Sequence, residues 1–222
     1  VFNKTPVEKV DNTALLSGKQ IVVLDSREYC LYCEKFKKAV ANDYKGTIPM
    51  SFRHADQLDD LTIKSATWAT TILFLENGIE VYGRQGYATP EEFYKALGAF
   101  KLGNSDAYKV AFDARTDRPY CKEYKEFKNT PDGTFVDKLS GEPLFDTSDR
   151  FNSGTGWLSF KHPVKSSVTQ HDDSSWGITR IELRSKSTGI HLGHLFPGEG
   201  PRGTDRYCIN ATVLDFVPRD KS

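Results

Sequence analysis

Arg206-Tyr207-Cys208-Ile209-Asn210, followed directly by Ala211-Thr212-Val213-Leu214-Asp215-Phe216-Val217, decides how the second half of the chain is read. β-Branched and aromatic residues run through it, so Tyr207 to Val217 predicts a strand. Set into that strand is a cysteine with a cation two residues before it and an amide two residues after. A cysteine attacks as thiolate, and a nearby Arg or protonated His favours the thiolate. His191-Leu192-Gly193-His194 ends fourteen residues upstream of Cys208. A histidine can deliver a proton to a leaving oxygen near neutral pH. The residues describe either a thiol site with its own acid or a structural cysteine buried on a strand.

Outward from this stretch, turns are frequent: Asp132-Gly133, Gly141-Glu142-Pro143, Gly154, Gly177 and Gly189. Strand-like runs separate them at Trp157 to Phe160 and Gly177 to Arg184, while helical periodicity is weak after about residue 128. This pattern predicts a mostly antiparallel β domain over residues 104–222. Most of its aromatics belong to a core, with one or two left to line a substrate pocket.

The first half reads differently. Gln20 to Asp25 (QIVVLD) is a short apolar run, expected to be a buried strand. Cys30-Leu31-Tyr32-Cys33 follows, and Phe36, Ala39 and Val40 then share one helical face. Cys30 therefore sits at a strand-to-helix junction, where unpaired backbone amides favour an anion. Pro49 to His54 predicts a second strand, Gln57 to Lys64 a short helix and Thr71 to Glu76 a third strand. Asn77-Gly78 is a hairpin signal that returns Ile79 to Arg84 as a fourth strand. Thr89-Pro90-Glu91-Glu92 opens a helix with an N-cap, a first-turn proline and acidic residues. Lys101 to Asp106 is polar and reads as the linker that ends a first domain over residues 1–103.

Composition narrows the function classes. Thirty basic and thirty acidic residues cancel over 222 positions, so no nucleic-acid partner and no membrane-surface field is indicated. No apolar run approaches the roughly 20 residues of a membrane span. The cysteines are Cys30, Cys33, Cys121 and Cys208, too few for a disulfide framework in a chain of this length. A structural zinc site wants two CxxC pairs and there is one. Redox chemistry is the economical reading of all four; inert thiols are the bland one. No metal, flavin or nicotinamide signature is present, so no cofactor is expected.

Two resemblances sharpen this. The order β–CxxC–α–β–α–β–β–α resembles the thioredoxin fold over nearly the whole first half. It departs at Ala69-Thr70-Thr71, where the fold usually carries a cis-proline and Thr70 stands instead. Gly141-Glu142-Pro143-Leu144-Phe145, Phe151-Asn152-Ser153-Gly154-Thr155-Gly156-Trp157-Leu158-Ser159-Phe160, His191 to Pro197 and Arg206 to Asn210 resemble methionine-R-sulfoxide reductases of the B type, across about residues 106–218. That resemblance implies two small antiparallel sheets with a shallow hydrophobic pocket.

It also implies roles. Cys208 would attack the sulfoxide sulfur and His194 would protonate or hold the oxygen, with His191 beside it. Arg206 and Asn210 would set the field around the thiolate. Trp157 would pack on the substrate methyl group, with Phe196 and Glu199 completing substrate binding. The product on the enzyme is a sulfenic acid that condenses with a second thiol. The family's resolving cysteine is replaced by Thr155, so Cys121 is the expected resolver and Cys30 the alternative. Many relatives hold zinc at positions that are Asp137, Ser140, Ser185 and Thr188 here, so no metal is expected. The family's Phe-Pro-Asp-Gly acid is replaced by Gly198, with Glu199 next to it as an imperfect substitute for keeping the histidine protonated.

The expected function is reduction of methionine-R-sulfoxide in oxidised proteins or peptides. The Cys30/Cys33 dithiol would reset the second domain and an external thiol reductant would reset the dithiol. The alternative is a thiol–disulfide oxidoreductase whose second domain only binds oxidised or methionine-rich clients. Val1 as first residue and cysteines used only for redox fit an extracytoplasmic, periplasmic or exported setting.

Overall fold

The computed structural model describes residues 8–220. The chain divides into two compact units after Phe93, inside the helix α2 defined below.

The first unit holds a four-stranded sheet with β1 (Lys19–Leu24), β2 (Met50–Arg53), β3 (Ile72–Glu76) and β4 (Ile79–Arg84) in the order β2-β1-β3-β4. β1 pairs parallel with β2 and antiparallel with β3. Ile21, Val22 and Leu73 are fully buried, as a continuous apolar run on a sheet covered on both faces requires. Asn77 and Gly78 both have positive φ, 51° and 79°, which turns β3 into β4. Helix α1 (Leu31–Phe36) follows β1, and α2 (Pro90–Leu102) follows β4. Thr89 and Glu92 exchange bonds across the first turn of α2: Glu92 N donates to Thr89 Oγ1 and Thr89 N donates to Glu92 Oε2. This is a capping box.

The helix expected at Gln57–Lys64 does not form. Thr62 instead accepts from Glu80 N and donates to Gly78 O, both at 2.9 Å, as an isolated bridge beside β4. Leu58, Leu61 and Ile63 pack on the buried Leu15, Val22, Leu24, Leu73 and Leu75 through turns. Their spacing imitates a helical face because the apolar positions of a winding loop recur at similar intervals. Thr70 adopts φ 65°, and no cis peptide occurs among the described residues.

The second unit begins with the rest of α2, where Gly98 lies so close to the Phe112 ring that a Cβ would overlap it. Two helices that the sequence reading passed over follow: α3 (Asp106–Asp113), capped by Ser105 Oγ, and α4 (Lys122–Phe127). The rest is antiparallel β. One sheet has six strands, β7 (Arg150–Phe151), β8 (Leu158–Phe160), β12 (Arg206–Ile209), β11 (His191–Phe196), β10 (Arg180–Ser185) and β9 (Val168–Asp173), in that order. The other has three, β13 (Leu214–Pro218), β5 (Gly133–Asp137) and β6 (Pro143–Asp146). Phe135, Phe145 and Phe160 are fully buried, with Phe145 stacked on Phe160 at 4.6 Å. No described helix is long and apolar enough to cross a membrane.

The single strand expected from Tyr207 to Val217 is two strands in different sheets. Asn210 breaks it: its N and Nδ2 both donate to Leu192 O, at 2.8 and 3.0 Å, and Ala211–Val213 forms a short 3-10 turn. The amide that flanks the cysteine in sequence thus ends its strand.

Candidate active site around Cys208

Strand register brings the site together. Phe151 pairs with Ser159, Ser159 with Cys208, Cys208 with His194, His194 with Glu182 and Glu182 with His171. Directly paired residues point to the same face of a sheet. One row therefore crosses all six strands, with Cys208 between Ser159 and His194. β11 and β12 approach so closely here that a Cβ on Gly193 would lie 1.9 Å from Cys208 O.

Cavities flank the row. Ser159 lines one of about 340 Å³ whose walls include Trp157, Tyr120, Tyr124 and Phe151. His194 lines another of about 620 Å³ with His191, Asp173, Arg180 and Trp176. The two cross-strand neighbours of Cys208 thus line one cavity each, an aromatic one at Ser159 and a charged one at His194.

Both histidines are held by carboxylates. His194 Nε2 is 2.8 Å from Asp173 Oδ2, and Arg180 donates to the same oxygen at 2.9 Å. Bonds from the Ser175 turn and from His194 keep the Asp173 carboxyl far below the usual carboxylate range. His191 Nδ1 is 2.8 Å from Glu182 Oε1, and Arg184 binds Glu182 Oε2. His191 is buried, and burial lowers its pKa despite Glu182, leaving its Nε2 without a protein partner among the described residues. The histidine rings lie 5.4 Å apart.

Arg206 is buried with its guanidinium 4.3 Å over the Phe196 ring, and it donates to Glu199 Oε2 at 2.7 Å. Phe196 thus carries Arg206, and Glu199 engages Arg206, whereas His194 takes its carboxylate from Asp173. Burial pushes the Cys208 thiol up; Arg206 opposes this and Glu199 adds to it. Desolvation therefore outweighs the cation that the sequence reading weighed alone.

A second cluster adjoins the first. Asp117 is buried: its N donates to Asn210 Oδ1 at 2.8 Å and its carbonyl accepts from Trp157 Nε1 at 3.1 Å. Its carboxylate accepts from Thr212 Oγ1 and N, at 2.7 and 3.0 Å. Cys121 is a partly buried free thiol at the start of α4. Its neighbour Tyr120 donates from N to Gly156 O and from OH to Gly154 O, the residues on either side of Thr155.

The four positions where relatives hold zinc form a hydrogen-bonded knot. The carboxylate of buried Asp137 accepts from Leu139 N, Ser140 N and Thr188 Oγ1, the last at 2.6 Å, and Ser185 adds a further bond. Cys30 and Cys33 lie in the first unit as a disulfide, Cys30 being the N-cap of α1.

Sequence reading missed Asp173, Glu182 and Asp117. The signal for Glu182 was present, since Arg180-Ile181-Glu182-Leu183-Arg184 alternates charge and apolar residues and so puts all three charges on one face. Nothing local marks Asp173 or Asp117, because the partners that place them in the site, His194 for one and Asn210 and Thr212 for the other, are distant in sequence.

The family model of the SelR domain matches residues 104–218, just over half of the chain. Every residue of the row from Phe151 to Cys208 falls inside that match. A thiol set beside a histidine is the equipment that reducing a sulfoxide requires, and the chain belongs to the SelR family, the methionine-R-sulfoxide reductases, and is an oxidoreductase.

Proposed function

We propose that the chain reduces methionine-R-sulfoxide through a sulfenic acid on Cys208, resolved by Cys121 and reset by a thioredoxin-like first unit. The observation that carries this is the position of Cys208 in the row, paired with His194 on one side and Ser159 on the other, each of which lines a cavity. Trp157 and its aromatic neighbours suit the methyl group, and the histidine side suits the sulfoxide oxygen. Burial lowers the pKa of His191, which makes it the poorer carrier of a proton, and His194, the cross-strand neighbour of Cys208, is the proton source in this reading. The Cys208 thiol loses its proton to solvent as its sulfur attacks the sulfoxide sulfur, His194 protonates the oxygen, the hydroxyl passes to Cys208 as the sulfenic acid, and methionine leaves.

Cys121 is supported as resolver by its neighbourhood. It follows Tyr120, which is bonded to both glycines around Thr155, the position of the cysteine that resolves in many relatives. Attack of its thiol on the sulfenic acid gives a Cys121–Cys208 disulfide and water. The β2-β1-β3-β4 order and the capping of α1 by Cys30 support the thioredoxin-like reading of the first unit. Cys30 would attack the disulfide and Cys33 would release the mixed disulfide, to be reduced in turn by an external thiol. Tethering to the reductase domain supplies the internal dithiol at an effective concentration of order mM.

Electron counting tests this. The fully reduced full chain, without added thiol, is given excess methionine sulfoxide as separated R and S diastereomers. About two methionines per chain are expected from the R form, one for each dithiol, and none from the S form. Cys30→Ser with Cys33→Ser halves the yield, and Cys208→Ser abolishes it. Retention of the full yield without Cys30 and Cys33 would exclude the first unit as donor.

A further inference from the structure

The site leaves one buried acid without a task. Asp117 takes part in neither the row nor the histidine couples, yet it touches Asn210, Trp157, Thr212 and Cys121. Its backbone holds Asn210 on one side and the Trp157 indole on the other. Its carboxylate is anchored by Thr212 N and Oγ1. The thiol of Cys121 donates to Oδ2 of that same carboxylate, at 4.0 Å. Asp117, Cys121 and Thr212 also line one cavity of about 500 Å³, so the contact is open to reactants.

We propose that Asp117 is the base of the resolving step, taking the proton of Cys121 as that thiol attacks the Cys208 sulfenic acid. This rests on the reading of Cys121 as resolver. The sulfur–sulfur bond forms as the sulfur–oxygen bond of Cys208 breaks. Cys121 is oxidised and Cys208 reduced by one level each. The departing hydroxide takes a proton from His194, the cross-strand neighbour of Cys208, which has regained one from solvent since the first step, and leaves as water. Asp117 then returns the Cys121 proton to solvent.

The step needs such a base. Burial raises the Cys121 thiol pKa, and the Asp117 and Glu123 charges raise it further. At neutral pH it is a poor nucleophile unless its proton is removed in the act. Burial also raises the Asp117 carboxyl, against the pull of the Thr212 bonds, which makes it a stronger base than an exposed carboxylate. Glu123, the other acid on this cavity, is half-buried on α4 and also hydrogen-bonds the thiol; Asp117 differs in that Thr212 fixes its carboxylate in place.

The test is a single turnover of the full chain in a Cys30→Ser, Cys33→Ser background, where Cys121 and Cys208 are the remaining thiols. Rapid quenching follows two products: methionine, and the Cys208 sulfenic acid trapped with dimedone. Without further change the sulfenic acid is expected to give way to a Cys121–Cys208 disulfide. In Asp117→Asn it accumulates, and its decay slows by about 100-fold at pH 7, the usual worth of a general base. That decay then accelerates tenfold per pH unit toward the thiol pKa, where the parent is flat. Asp117→Glu restores part of the rate, and the methionine burst reports that each variant has an assembled site.

Equal decay rates and equal pH profiles for Asp117→Asn and its parent would overturn the inference while leaving Cys121 as resolver. A parent whose sulfenic acid persists with Cys121 still free would overturn the resolver reading, and the base with it.

Discussion

His194 Nε2 and Asp173 Oδ2 lie 2.8 Å apart, although they stand on β11 and β9 with β10 between them. The carboxylate reaches across because Asp173 ends its strand and is turned back by Ser175 N, which donates to Oδ1 at 3.0 Å, and by Arg180. An orienting carboxylate fixes both the ring and the tautomer of a histidine. The carboxylate beside His194, which the sequence reading sought next to Pro197, thus comes from the edge strand β9, two places away in the sheet. Asp173→Asn keeps the shape and removes the charge. It is expected to lower kcat for methionine-R-sulfoxide by about 10- to 100-fold, with a smaller change in KM, as steady-state kinetics with dithiothreitol would report.

Arg206 and Glu199 act on the Cys208 thiol with opposite sign. Removing the cation in Arg206→Ala raises the thiol pKa further, and removing the anion in Glu199→Gln lowers it. The measurement is the pH dependence of iodoacetamide alkylation in a background lacking the other three cysteines. The parent midpoint is expected above the ordinary thiol range, since burial dominates. Glu199→Gln should alkylate faster at pH 8 and Arg206→Ala more slowly. A common midpoint for all three would remove the ion pair from any account of the nucleophile.

Asp137 ties β5 of the small sheet to the turn that precedes His191. Asp137→Ala strips the acceptor from Leu139 N, Ser140 N and Thr188 Oγ1, and a loss of about 3 kcal/mol is expected. Burial raises the folded-state pKa of Asp137 above its unfolded value. Its contribution is therefore complete below the unfolded pKa and is lost as pH rises through the folded one. The gap in urea midpoint between parent and variant should narrow as pH rises above the ordinary carboxylate range. A gap that widens instead would contradict the sign.

How much of this was readable beforehand follows from the range of each interaction. The sheet of the first unit and its Asn77-Gly78 hairpin depend on apolar runs and a turn dipeptide, which are local. The helix expected at Gln57–Lys64 failed because Leu58 and Leu61 answer to a sheet rather than to each other. Cys208, His191, His194 and Arg206 could be named because chemistry and motif spacing mark them. The charge alternation around Glu182 was legible too, whereas Asp173 and Asp117 could not be named, because His194 and Thr212, which give them their place in the site, stand on other elements. The break at Asn210 was hidden for the same reason: Leu192 and Asp117, which hold it, are remote in sequence.

The row from Phe151 to His171 sets where the protein can change length. Its members are aligned by strand register and not by loop conformation, so loops of any size can join them. Insertions after Ser175 or near Gly200, both in exposed connections, leave the alignment intact. A single residue added inside β11 or β12 turns His194 or Cys208 to the opposite face. Such an enzyme would fold poorly or stand inert, so variation in length is confined to the connections between strands.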